Sequence, residues 1–161
     1  MCIRDRSNIG RVRNCVTGKI LNNNLDKHGY YHVALYNDGI VKNCIVHQLV
    51  AEEFIIKPDV NFPLFVDHID RNRINNQISN LRFVSISQSS MNRSKRLNTS
   101  SSFKGVYYDK HNNKWRASIK LNKKFIHIGR YEDEDEAARA YNNKAIELFG
   151  EYACLNQVDD P

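Results

Sequence analysis

Asp67-His68-Ile69-Asp70 sets a carboxylate directly beside an imidazole, and Asn72, Asn75, Asn76, Asn80 and Asn92 follow. Oxygen ligands of this kind suit Mg2+ or Mn2+, hard cations that keep several waters. A neutral imidazole beside the cation can take the proton of an attacking water. The cation would stabilise the charge gathering on a phosphate and its leaving oxygen. Together these are the parts needed to hydrolyse a phosphodiester. A lone Asp-His pair in a dry core is otherwise a satisfied hydrogen-bonding couple. Three features favour chemistry here: the pair ends a strand, it faces a loop rich in amides, and a basic segment follows.

The elements that must position the pair are a strand before it and a strand and helix after it. Phe62 to Val66 reads as an apolar strand delivering Asp67-His68. A polar loop leads to a second strand, Leu81 to Ser85, and a helix is expected from Ser87 to about Arg96, with Ser85 or Ser87 as its cap. Upstream, Val16 to Leu21 and Tyr30 to Tyr36 read as strands, and Asn37-Asp38-Gly39 as a hairpin turn. Val46, Leu49, Val50 and Phe54 recur at helical spacing, which predicts an amphipathic helix over Val46 to Ile55, ended by Lys57-Pro58. His47 lies on that helix and is read as a packing or orienting residue.

Beyond a basic, serine-rich connection, three strands are expected at Gly105–Asp109, Lys114–Leu121 and Lys124–Gly129. In the second, Trp115, Ala117, Ile119 and Leu121 share one face, and Arg116, Ser118 and Lys120 the other. In the third, Ile126 and Ile128 face inward, Phe125 and His127 outward. A helix starts in the acidic run Glu132 to Glu136, which suits a helix N-terminus. Ala137, Tyr141, Ala145 and Leu148 form its buried stripe, and Gly150 caps its end. From Arg93 to Arg130 there are eleven basic residues and one acid, Asp109. That imbalance is the footprint of a polyanion-binding surface.

Bulk properties agree. The chain has 161 residues, is 41% hydrophobic and carries a net charge of +6. No apolar run approaches the roughly 18 residues of a membrane span, and Met1 to Gly10 lacks the apolar stretch of a secretory signal. The four cysteines, Cys2, Cys15, Cys44 and Cys154, are scattered, which argues against a zinc knuckle or a disulfide framework and for a reduced, intracellular protein.

The run VDHIDRNRINNQISNLRFVS, Val66 to Ser85, resembles the HNH homing endonucleases of phages and group I introns. Val46 to Ile55 resembles the helix leading into their catalytic module, and Ser7 to Val12 the tail of their small opening domain. Those relatives have further residues upstream, so a truncated N-terminus is expected, and Met1 to Arg6 resembles a translated sequencing-adapter tail. The resemblance implies a ββα module around one divalent ion, Mg2+ or Mn2+. It assigns Asp67 as metal ligand, His68 as general base, and Asn80 as the asparagine that orients the histidine or shapes the loop. Ser89 stands where relatives carry an asparagine ligand, and Asn92 lies one helical turn on as a substitute. Phe103 to Asn156 is similar to the plant ethylene-response-factor type of DNA-binding domain, through Lys104-Gly105-Val106, Lys114-Trp115-Arg116-Ala117, Ile128-Gly129, Glu136 to Tyr141 and Leu155-Asn156. In that family the sheet enters the major groove.

The expected fold is therefore α+β: an HNH ββα-metal module, then a three-stranded antiparallel sheet packed on one helix. The expected divisions are 1–58, a partial N-terminal domain; 59–93, the nuclease module; 94–102, the linker; and 103–157, the DNA-binding domain. Lys104, Tyr107, Arg116, Ser118, Lys120, Lys124, Phe125 and His127, with Arg93, Lys95 and Arg96 from the linker side, are the expected contacts to double-stranded DNA. The expected protein is a metal-dependent DNA endonuclease, monomeric, without membrane contact. It would act in the cytoplasm or nucleoid of a bacterial host, phage-borne or intron-borne. The rival reading is a decayed HNH protein acting as a DNA-binding regulator. A third, nonspecific nucleic-acid binding, predicts affinity that falls steeply with salt and shows no site preference.

Overall fold

A computed structural model describes residues 5–14, 17–37, 40–95 and 100–159. The chain divides into two compact units, Met1–Ile86 and Ser87–Pro161. In the first, β1 (Asp5–Arg6) pairs with β2 (Val12–Arg13), and β3 (Asn24–Leu25), β4 (Tyr31–Asn37) and β5 (Ile40–Ile45) form an antiparallel meander. α1 (Val46–Phe54) follows, and β6 (Phe65–His68) pairs antiparallel with β7 (Leu81–Val84). α2 (Ile86–Met91) begins where the units divide. The helical spacing of α1 buries Val46, Leu49 and Val50 against Val12, Val33, Leu35 and Leu81. That shared core fixes α1 beside β7, and so beside its partner β6.

Three local expectations change. Val16 lies outside the described residues, and Thr17 to Leu21 forms no strand, only a single bridge between Ile20 and Arg13. Asn14 closes a tight turn there instead, its Oδ1 accepting from Thr17 N at 3.0 Å and its carbonyl from Gly18 N at 2.8 Å. Phe62 to Leu64 stays outside β6, with Phe62 53% exposed, because β7 is too short to pair with more than Phe65–His68. The helix expected to reach Arg96 ends at Met91, the last residue there that packs on a core. Asp38 and Gly39, central to the expected hairpin turn, lie outside the described residues, though Asn37 opposes Ile40 as a two-residue turn requires.

In the second unit, β8 (Val106–Asp109), β9 (Lys114–Leu121) and β10 (Lys124–Tyr131) form a sheet in the order β10-β9-β8. α3 (Glu134–Phe149) packs on one face, burying Ala137, Ala138, Tyr141 and Ala145 against Val106, Ala117 and Ile119. Small alanines let the helix lie close. Asp133 caps it, accepting from Asp135 N at 2.8 Å and Glu136 N at 3.2 Å. Gly105, at φ +76°, lies so near Tyr141 that a Cβ would fall 2.2 Å from the ring, so only glycine fits. The serine-rich connection is tied down at its end, where Glu134 accepts from Ser101 Oγ at 2.7 Å and Ser102 N at 2.9 Å. Asn156 ties the chain after α3 to the start of the sheet, accepting from Lys104 N at 2.7 Å and donating to Lys104 O at 3.1 Å. The outer face of the sheet carries the charged residues.

Candidate active site and nucleic-acid interface

In the first unit, β6 and β7 place Asp67 opposite Arg82 and His68 opposite Leu81. Neighbouring strand residues alternate in direction. Asp67 meets Arg82, whose Nε and Nη2 donate to Oδ2, both at 3.3 Å. His68 turns in against α1 and is only 5% exposed. Its ring meets His47 edge-on at 4.9 Å between centroids, and Tyr30 lies 5.0 Å from His47 and 6.1 Å from His68. Tyr30 is held by the turn on Asp26, whose Oδ1 accepts from His28 N and Tyr30 N at 2.8 and 2.9 Å. Arg73, from the loop after β6, lies 5.0 Å over the Tyr30 ring.

His68 Nε2 lies 3.0 Å from Asn76 Oδ1. With an amide oxygen as partner, Nε2 carries the proton, and the lone pair of the neutral ring is at Nδ1. Asn76 is 4% exposed because Gly10 packs directly on it. A Cβ at Gly10, where φ is +82°, would lie 2.8 Å from Asn76 Cβ. Ile78 N also donates to Asn8 O at 2.8 Å. The turn Ser7–Gly10 therefore buttresses the loop that holds the imidazole.

Asn80 binds the loop rather than the ring. Its Nδ2 donates to Asp70 Oδ1 and Asn75 O, each at 2.8 Å, and its Oδ1 accepts from Asp70 N at 2.9 Å. Burial pushes the Asp70 carboxyl up, but bonds from Asn75, Asn72 N and Asn80 outweigh it and hold the group below its ordinary range. His47 has its pKa pushed down to about 4, by burial first and then by electrostatic coupling to His68. Its Nδ1 is buried and has no hydrogen-bond partner among the described residues. It is a neutral packing partner of His68, as its place on α1 suggests. Ser89, half-buried on α2, and Asn92, buried just after it, belong to the second unit, while Asp67, His68 and Asn80 belong to the first.

The loop's amides look alike in the sequence, and nothing in residue order marks Asn76 as a site residue. Its role depends on contacts with Gly10, 66 residues away in the chain, and with His68, neither of which local spacing reveals.

On the second unit's outer face, Tyr107, Arg116 and Arg130 line up across the three strands, with Ser118 opposite His127 and Lys120 opposite Phe125. The Arg116 guanidinium lies 5.5 Å from the Tyr107 ring, and Lys120 Nζ lies 5.3 Å from that of Phe125. Phe125 is 75% exposed, and Lys124 is exposed beside it. Lys104 stands apart from this row, since its ammonium donates to Met91 O at 2.7 Å. Lys95 donates to Ser101 O at 3.0 Å and Arg93 is exposed, while Arg96 lies outside the described residues. Arg130 reaches this face through a bulge between His127 and Gly129, which offsets the alternation by one residue. Strict alternation from Ile126 and Ile128 would have turned it inward. Asp109 is held by Asn112 first and also by Arg130, and its carboxyl is pulled down to about 2.

Residues 44–91 match the HNH endonuclease family. The matching segment runs from the end of β5 through α1, β6 and β7 to α2, so it contains both Asp67-His68 and the loop that holds them. An uncharacterized HNH endonuclease of Acanthamoeba polyphaga mimivirus is 42% identical over 105 residues, covering 65% of this chain and 54% of its own. The DNA endonuclease I-HmuI of Bacillus phage SP01 is 40% identical over 78 residues, covering 48% and 44%. A solved structure describing DNA binding and cleavage by the HNH homing endonuclease I-HmuI is 38% identical, covers 51% of this chain and 46% of that one, and has a TM-score of 0.47. An ethylene-responsive transcription factor-like protein of Arabidopsis thaliana is 49% identical over 43 residues, 27% of this chain and 18% of its own. The chain spans about half the length of the HNH relatives it matches. Among the described residues, no helix is long and apolar enough to cross a membrane.

Proposed function

We propose that the chain is a metal-dependent DNA endonuclease of the HNH type, anchored on double-stranded DNA by the sheet of its second unit. The observation that carries the reading is the buried imidazole of His68, held at Nε2 by Asn76 inside the segment that matches HNH endonucleases. His68 takes a proton from the attacking water at Nδ1, the ring nitrogen that bears the lone pair when Nε2 donates to Asn76. Asn76 keeps the ring in one tautomer and one plane, and binds the imidazolium more strongly once it forms. Asn80 holds the loop around Asp70 and Asn75 in the shape that presents Asn76.

The donors that the HNH resemblance assigns to a metal are oxygens: the Asp67 carboxylate, the Ser89 hydroxyl and the Asn92 amide. This set fits Mg2+ or Mn2+, which bind through one or two carboxylates and complete their shells with water and phosphate oxygen. Asp67 would hold the ion. When bound, the ion would neutralise charge developing on the phosphate and leaving oxygen. Tyr107, Arg116, Ser118, Lys120, Lys124, Phe125 and His127 present cations, hydrogen-bonding groups and an exposed ring to DNA, with Arg93, Lys95 and Arg96 close to the linker.

A second reading, a DNA-binding regulator without cleavage, is favoured by one contact. Arg82 already compensates the Asp67 carboxylate, both side chains being 14% exposed, and the shorter Ser89 weakens the second ligand. Plasmid nicking in Mg2+ or Mn2+, with wild type beside His68→Ala, separates the two. Cleavage abolished by His68→Ala supports the nuclease. Equal cleavage by both proteins rejects the assigned base, and tight binding without cleavage in either metal favours the regulator.

A further inference from the structure

Two arginines on the outer face of the second unit's sheet are aimed by neighbours. Arg116 Nε donates to His127 Nδ1 at 3.1 Å, and Arg130 Nε donates to Asp109 Oδ2 at 3.2 Å. In each case the far end of the fork, Nη1 and Nη2, makes no hydrogen bond to another described residue. Asp109 is itself fixed, accepting from Asn112 Nδ2 at 2.8 Å and His111 N at 3.2 Å. It is 16% exposed, whereas the Arg130 side chain is 43% exposed.

Arg116 and Arg130 are direct cross-strand partners. Like charges in that position repel, which is destabilising unless an anionic or strongly accepting ligand lies over them. A guanidinium anchored at Nε loses little further freedom on binding and keeps two parallel donors. Those donors match O6 and N7 of guanine in the major groove, a groove wide enough for a two-stranded ribbon. Phosphates can be met by Lys120, Lys123 and Lys124, point charges on flexible stems around the β9–β10 hairpin end.

We propose that Arg130, aimed by Asp109, is a specificity-determining residue that reads one guanine, and that Arg116, aimed by His127, reads a neighbouring one. The proposal rests on the reading of this sheet as a DNA-binding surface. The test selects sites for the 161-residue chain from a randomised duplex library in EDTA, which prevents cleavage, and compares wild type with Arg130→Lys and Asp109→Asn. Wild type is expected to enrich guanine at two nearby positions. Arg130→Lys keeps the charge but loses the fork, so discrimination at one position should fall on the order of tenfold to a hundredfold. Asp109→Asn should weaken the same position, and replacing that guanine by 7-deazaguanine should weaken wild type but not Arg130→Lys. Unchanged base preference in both variants overturns the inference while leaving DNA binding intact. So does a loss of affinity that is uniform across sequences, the mark of phosphate contact. Absence of DNA binding by wild type overturns the underlying reading and this inference together.

Discussion

Asn76→Ala removes the acceptor facing His68 Nε2 and little else. The bond is 3.0 Å long, with His68 5% and Asn76 4% exposed, so bulk water cannot take over. A buried N–H left unpaired costs about 1–3 kcal/mol of folding stability. The effect on turnover has a separate origin. When His68 takes a proton, its bond to Asn76 becomes charge-assisted, and losing it weakens imidazolium stabilisation by about 1.5–3 kcal/mol. That corresponds to a rate roughly ten- to a hundredfold slower. The assay is single-turnover nicking of a supercoiled plasmid at saturating protein, at a temperature where thermal melts show the variant folded, alongside DNA affinity measured in EDTA. Nicking should slow while affinity holds. If Asn76→Ala nicks at the wild-type rate while His68→Ala is inactive, Asn76 does not position the base and the argument fails.

Gly10→Ala puts a Cβ within 2.8 Å of Asn76 Cβ at a φ of +82°, and should cost about 1–3 kcal/mol while also slowing nicking. A melting shift with undisturbed nicking of the folded variant would uncouple the Ser7–Gly10 turn from the site. Stability should also depend on His47, which protonates near 6.5 when unfolded but only near 4 when folded. In that window the unfolded chain binds the extra proton. His47 therefore contributes stability above about pH 6.5 that is lost as pH falls toward 4, up to about 3 kcal/mol. Urea unfolding of wild type and His47→Leu should show a shallower pH slope for the variant, and parallel slopes would refute this. Asp133→Ala, losing the α3 cap, should lower stability by about 1 kcal/mol in chemical denaturation. An unchanged midpoint would show that other groups satisfy the helix N-terminus.

Where one physical rule governs a segment, its structure was legible from residue order. Alternation placed Ala117 and Ile119 inside and Lys120 outside, and helical spacing placed Val46, Leu49 and Val50 on the core side of α1. The Asp67-His68 pair and the loop asparagines were visible for the same reason, since their chemistry is carried by residue type. What escaped depends on contacts between distant residues or on breaks in periodicity. Val16 to Leu21 has the composition of a strand, yet Thr17 N and Gly18 N turn back to Asn14, leaving only one bridge beyond them. Asn76 is singled out only by Gly10 behind it and His68 before it. Arg130 reaches the outer face because a bulge offsets β10 by one residue, and no pattern of apolar positions announces an extra residue.

The clasp made by Asn156 has a further meaning for how such chains arise. Its side chain grips both the amide and the carbonyl of Lys104, and its backbone is gripped in turn by Asn142 of α3, with bonds of 2.8 and 2.9 Å. The chain thus enters the sheet and leaves the helix packed on it at one spot, closed by their own hydrogen bonds. A unit with adjoining ends can be spliced into a loop or fused to a terminus without stretching its host. The Lys104–Asn156 clasp gives this sheet the form of a transferable cassette, suited to gene shuffling behind partners of unrelated fold.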